Sequence, residues 1–157
     1  MEVVLEQFIP SDRSKKISEM LKNMAIGCGV AAVITIFGAP IVGMAFGILG
    51  GAFFVGSYFM YIDYEYELYN GNITITKVYN ASRRKVAQKI QKDSVRRVYV
   101  TSRENALKKG VAAYYNTNLD GLKIYTFELS NSKMIQVALN AELEKIVKIV
   151  YAQTMTY

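Results

Sequence analysis

The chain has 157 residues, 52% of them hydrophobic, and a formal net charge of +6. It has no histidine and a single cysteine, Cys28. That excludes an intrachain disulfide, a zinc site built from His and Cys clusters, and any acid–base or triad chemistry that needs an imidazole, and no cofactor is expected.

The charge is segregated along the chain. Residues 1–23 carry four basic and four acidic side chains, residues 24–62 carry none, and residues 63–157 carry fifteen basic and nine acidic ones. The opening MEVVLEQFI places Val4, Leu5 and Phe8 near one helical face. It predicts a short amphipathic helix on a membrane surface or on the domain, within a lead-in of residues 1–16; a disordered terminus is the alternative. Pro10 ends this segment, and Ser11 or Ser14 can cap the helix that follows.

The 39 uncharged residues 24–62 organise the chain. They are too many for one span of about 20 residues and enough for two short ones. Gly38-Ala39-Pro40 lies near the middle. Proline lacks an N–H, disfavours helix in the residue before it, and suits the first position of a new helix. Helices are therefore predicted over 17–37 and 40–62, as a transmembrane hairpin of residues 17–62. A buried hairpin of a soluble protein normally shows a polar face, and this one has none. A secretory signal has an apolar region of only about 7–15 residues and no second span. Cys28 lies within the first span as a small apolar packing residue.

Gly43, Gly47 and Gly51 recur at spacing four in the second helix; Gly27 and Ala31, followed by Thr35, do so in the first. Such lines let another backbone approach closely. They fit packing within the hairpin or a homo-oligomer. Lys15, Lys16 and Lys22 precede the first span and the basic excess follows the second, so both ends are expected in the cytoplasm.

After the hairpin, Tyr64, Tyr66 and Leu68 alternate with Asp63, Glu65 and Glu67, the period of a half-buried strand. Asn70-Gly71 is a hairpin turn into a second strand over 72–79. Further strands are predicted over 85–91, with Val86 and Ile90 inward, and over 98–102, 111–116, 122–129 and 133–139. Residues 92–97 read as an irregular turn and 103–110 as a loop. Asn140 is a good N-cap, and Glu142 and Glu144 favour the first turn of a helix over 141–153. Leu143, Ile146, Val147 and Val150 form its apolar stripe, with Lys145 and Lys148 on the other face. The fold class is thus a membrane α-helical hairpin plus an α+β domain of seven strands and a C-terminal helix, over residues 63–157.

Two spans, seven strands and a terminal helix resemble the bacterial PH-like domain proteins of the membrane. More narrowly, MEVVLEQFIP, the hairpin, YELYNGNITI, QKDSVRRVYV and MIQVALNAELEKIVKIV are similar to an uncharacterised bacterial family of two-span proteins. The resemblance implies a PH-like β-barrel with the helix plugging one end, and it carries over no active-site residues.

Arg83, Arg84, Lys85, Lys89, Lys92, Arg96 and Arg97 form a basic cluster. Near a membrane such residues are first read as setting topology; the functional alternative is contact with anionic headgroups, worth about 1 kcal/mol for each side chain near the surface. No nucleic-acid-binding motif surrounds them, and nucleic acid is not an expected partner. Asp63, Glu65 and Glu67 read as a solvated face, Asp93-Ser94 has no base at a useful spacing, and no glycine-rich loop opens a helix after a strand. The sequence therefore predicts a non-catalytic, membrane-anchored binding or scaffolding module. Its expected partners are membrane lipids and a protein of unspecified identity. The alternative is a structural subunit that docks in a membrane complex through the glycine face.

Overall fold

Ser11 opens the first helix: its hydroxyl accepts the Ser14 N–H at 3.1 Å and caps α1, Asp12–Thr35. The helix begins five residues before the predicted start at residue 17, because the cap is already in place and the polar residues behind it tolerate helix. The Thr35 carbonyl accepts the N–H groups of Gly38, at 3.2 Å, and Ala39, at 2.7 Å, which closes the turn. Pro40 then starts α2, Pro40–Met60. The second helix stops before Ile62, because Ile62 already belongs to a strand.

The computed structural model describes residues 5–106, 110–116 and 118–156. It divides into two compact units. One is Ser11–Ile62 with Tyr79–Arg83, which contains the two helices; the other holds the chain before Ser11, Asp63–Val78 and the chain from Arg84 onward. Within the helical unit, Ser18, Ala25, Gly43, Gly50 and Ser57 are buried. Ser18 Oγ donates to the Ser57 carbonyl at 2.8 Å, fixing the register of the antiparallel pair. Both helices are long and apolar enough to cross a membrane.

The second unit contains two four-stranded sheets. The first runs β1 (Leu5–Ile9), β2 (Ile62–Tyr69), β3 (Asn72–Tyr79) and β4 (Arg83–Ile90), in that order. The second contains β5 (Val95–Thr101), β6 (Val111–Ala113), β7 (Lys123–Leu129) and β8 (Met134–Leu139), in the order β5-β7-β8-β6. The last helix is α3, Ala141–Val150, capped by Asn140 Oδ1, which accepts the Leu143 N–H at 2.8 Å.

The lead-in is a strand, not an amphipathic helix; Val4 lies outside the described residues. β1 pairs antiparallel with β2, from Leu5 opposite Leu68 to Ile9 opposite Tyr64. Gln7 is buried between them in sequence: its amide donates to the Ala138 carbonyl and its Oε1 accepts the Asn140 N–H, both at 3.0 Å. These bonds tie the first sheet to the β8–α3 corner. An eighth strand thus joins the seven predicted. The segment read as a turn over 92–97 is a 3₁₀ turn, Lys92–Ser94, followed at once by β5.

The sheets do not close into the expected β-barrel. The free edge of β5 is taken by the chain's own later residues: the Val98 N–H donates to the Thr154 carbonyl at 2.9 Å, and the Thr156 N–H to the Val98 carbonyl at 2.8 Å. An edge already paired this way cannot also pair with β4.

The core of this unit is continuous. Tyr66, Ile73, Ile75 and Ile90 from the first sheet meet Val98, Phe127, Ile135 and Val137 from the second, and Leu143, Val147 and Tyr151 from α3 and its end. Ile146 and Val150 pack partly against it, so the predicted helical stripe is the buried one. The Tyr66 hydroxyl, fully buried, donates to the Tyr114 carbonyl and accepts the Ala138 N–H, and its burial raises its pKa. Val86 departs from the expected inward position. It is 51% exposed and lines a shallow depression with Glu6, Glu65, Glu67, Thr76 and Arg84.

Candidate binding site

The seven basic residues follow one continuous path. Arg83, Arg84, Lys85 and Lys89 lie on β4, Lys92 in the 3₁₀ turn, and Arg96 and Arg97 at the start of β5. All seven are exposed. Arg84 Nε meets Glu65 Oε2 at 2.9 Å, an exposed pair of small energetic weight. Lys92 is held locally: its backbone N–H donates to Asn72 Oδ1 at 3.0 Å. Its stem crowds Gly71, where φ is +78° and a Cβ would lie 3.0 Å from Lys92 Cδ. The register of β5 against β7 shifts between Val95 and Arg97, so Arg96 is the extra residue of a bulge. A bulge re-aims the strand that carries it. Here it marks where Arg97 leaves the rest of the basic path and becomes part of a cavity wall.

That cavity has a volume of about 630 Å³ and is lined by residues from β5, β7, α3 and the segment after α3. Its polar centre is Glu144, 7% exposed. Three donors converge on Glu144 Oε1: Lys148 Nζ at 2.6 Å, Tyr125 Oη at 2.9 Å and Lys123 Nζ at 3.0 Å. The Lys148 bond, helped by those from Lys123 and Tyr125, outweighs burial and holds the Glu144 carboxyl at about 2, well below the carboxylate range. Burial, and the anion beside it, push the Tyr125 hydroxyl up to about 12, so it stays a neutral donor. Arg97 stands in the same wall and, among the described residues, makes no ion pair. Tyr99, Val100 and Met155 supply apolar surface.

Sequence reasoning named Arg97 but not Lys123, Tyr125 or Lys148 as parts of a site. It read Glu144 as a first-turn acid. The Glu144–Lys148 spacing of one helical turn is visible in the sequence; the meeting of α3 with the start of β7 is not.

The glycine line divides in two. A Cβ on Gly43 would come within 2.8 Å of Ile36 Cα, and one on Gly50 within 3.2 Å of the Ala25 carbonyl oxygen and of Cys28 Cβ. Gly47, Gly51 and Gly27 have nothing within 4 Å of that position. Ala31 is partly buried, and its carbonyl accepts the Thr35 hydroxyl at 2.7 Å. The contact between α1 and α2 therefore runs through Gly43, Gly50 and Ser57, seven residues apart, rather than along Gly43, Gly47 and Gly51.

No group of His, Cys, Asp and Glu among the described residues is arranged to hold a metal ion. No curated protein and no solved structure matches the chain. One family model, described as Bacterial PH-like domain (DUF6106), matches residues 1–153. Its span takes in the helices, both sheets and α3, and on that match the chain belongs to the bacterial PH-like domain (DUF6106) family.

Proposed function

We propose that this protein is a membrane-anchored, non-catalytic PH-like module that binds or scaffolds at the inner face of the bacterial membrane. The observation that carries this reading is the uncovered apolar surface of the helical pair. Ile34, Phe37, Ile41 and Ile48 are 71%, 90%, 79% and 76% exposed. Soluble proteins rarely leave so large a contiguous apolar surface open. The 21 residues of α2 give a length of about 32 Å, which matches a hydrocarbon core of about 30 Å. Lys15, Lys16 and Lys22 before the pair and the basic path after it favour cytoplasmic placement of both ends. The β2–β3 turn, Asn70-Gly71, has no charge. Contact with anionic headgroups is part of this proposal, through Arg83, Arg84, Lys85, Lys89, Lys92, Arg96 and Arg97.

Alkaline-washed membranes should retain the full chain, and reporters fused to either end should be active only in the cytoplasm. Recovery in the soluble fraction, or an end reported outside, overturns the reading. Anionic lipid should be enriched in the purified full chain and lost in the triple variant Arg83→Gln, Arg84→Gln, Lys85→Gln.

A second reading is favoured by the open positions at Gly27, Gly47 and Gly51. A helix of a membrane complex, or of a second copy, would pack there, and the protein would be a structural subunit. Crosslinks in native membranes that vanish on Gly47→Ile would select this reading.

A further inference from the structure

We propose that the cavity between β5, β7 and α3 is a binding site for a phosphomonoester dianion carried on a small glycerol-like or alkyl stem. Three cations line it, Arg97, Lys123 and Lys148, against the single carboxylate of Glu144. Glu144 is already occupied by three donors, so it holds the two ammonium groups in place rather than competing for a ligand. Each ammonium has three N–H donors and spends one on Glu144; the Arg97 guanidinium has five and spends none on a carboxylate among the described residues. Glu128, opposite Arg97 across the β5–β7 ladder, neither lines the cavity nor pairs with it. The uncompensated charge is therefore two positive, the complement of one phosphomonoester.

Shape agrees with charge. The volume of about 630 Å³ falls in the range of small-molecule sites, about 300–1,000 Å³. Val100, Tyr99 and Met155 offer an apolar wall to a stem beside the cations. Arg97 is brought there by the bulge at Arg96, and Met155 by the pairing of residues 154–156 with Val98. Both are local departures from regular strand geometry, and each adds one group to the wall. The same chemistry exists in a soluble phosphomonoester and in the headgroup of a phosphatidic-acid-type lipid.

The test is calorimetric titration of the full chain in uncharged detergent micelles. The ligands are glycerol 3-phosphate and dihexanoylphosphatidic acid, with dihexanoylphosphatidylcholine as the zwitterionic control. Binding of glycerol 3-phosphate identifies a soluble source, and binding of the phosphatidic acid alone a lipid source; either supports the site. Arg97→Gln should weaken binding about tenfold or more, the scale of one hydrogen bond to a charged group. Lys148→Gln should act likewise and leaves Glu144 with Tyr125 and Lys123. Lys145→Gln, at an exposed position of α3 that does not line the cavity, should leave it unchanged. Failure of both phosphates to bind, equal binding of the zwitterion, or unchanged affinity in both cavity variants overturns the proposal.

Discussion

Lys148 Nζ lies 2.6 Å from Glu144 Oε1, one turn along α3, and Lys123 and Tyr125 reach the same oxygen from β7. This carboxylate joins helix to sheet. Its folded pKa of about 2 is below the ordinary 4.5, so the stability it contributes is fully present above about pH 4.5 and is lost as the pH falls toward 2. The two lysine side chains are 59% and 42% exposed, so solvent screens part of the attraction. Glu144→Gln should cost on the order of 1–3 kcal/mol near neutral pH. Thermal unfolding of the full chain should show the gap to wild type narrowing as the pH drops from 4.5. A gap that stays constant over that range would mean that the ionised carboxylate is not what the helix leans on.

Gln7 makes a second prediction. Its side chain satisfies the Ala138 carbonyl and the Asn140 N–H. Gln7→Leu keeps the volume but leaves both groups without a partner, at about 1–3 kcal/mol for each one that stays dry. Glu6→Gln, one residue away and exposed, should change stability by less than about 0.5 kcal/mol. Equal melting temperatures for the two variants would show that β1 is not held through Gln7.

The difficulty of reading β1 from sequence lies in that residue. Leu5 and Ile9 point inward with Gln7 between them, and a polar residue at the middle inward position hides the period of two. Leu5 and Phe8, three apart, mimic a helix instead. By contrast, β2, β3 and α3 were legible because their buried positions are apolar apart from Asp63 and Glu144, and their turns carry Asn70-Gly71 and Asn140; Asp63, expected on a solvated face with Glu65 and Glu67, is buried instead. The open sheets were not legible, because what blocks closure is backbone pairing between Val98 and residues 154–156, which no side-chain pattern records. The basic path was visible as composition. The cavity was not, since it needs Arg97, Lys123 and Lys148 brought together from three separate elements.

The glycines of α2 give the last prediction, and the structure sorts them by what each would meet. Gly43 and Gly50 touch α1, whereas Gly47 faces open space. Gly50→Ile adds a branched side chain where even a Cβ stands 3.2 Å from the Ala25 carbonyl oxygen, so the helices must separate. Overpacking of this kind costs about 1–3 kcal/mol. Lipid supplies no hydrophobic drive to hold the pair together, so the loss of close packing is not offset by any other term. The Ser18–Ser57 bond, 2.8 Å long and one heptad further along the same face, should loosen with it. Gly47→Ile meets no such obstacle and should leave the hairpin as stable as wild type. If another helix packs on the open line, Gly47→Ile should instead abolish crosslinking in native membranes while the monomer survives. Unfolding of the full chain in detergent, read beside crosslinking, separates the two faces. A Gly47→Ile variant that is destabilised as a monomer, with Gly50→Ile unaffected, would show that α1 lies against the other side of α2.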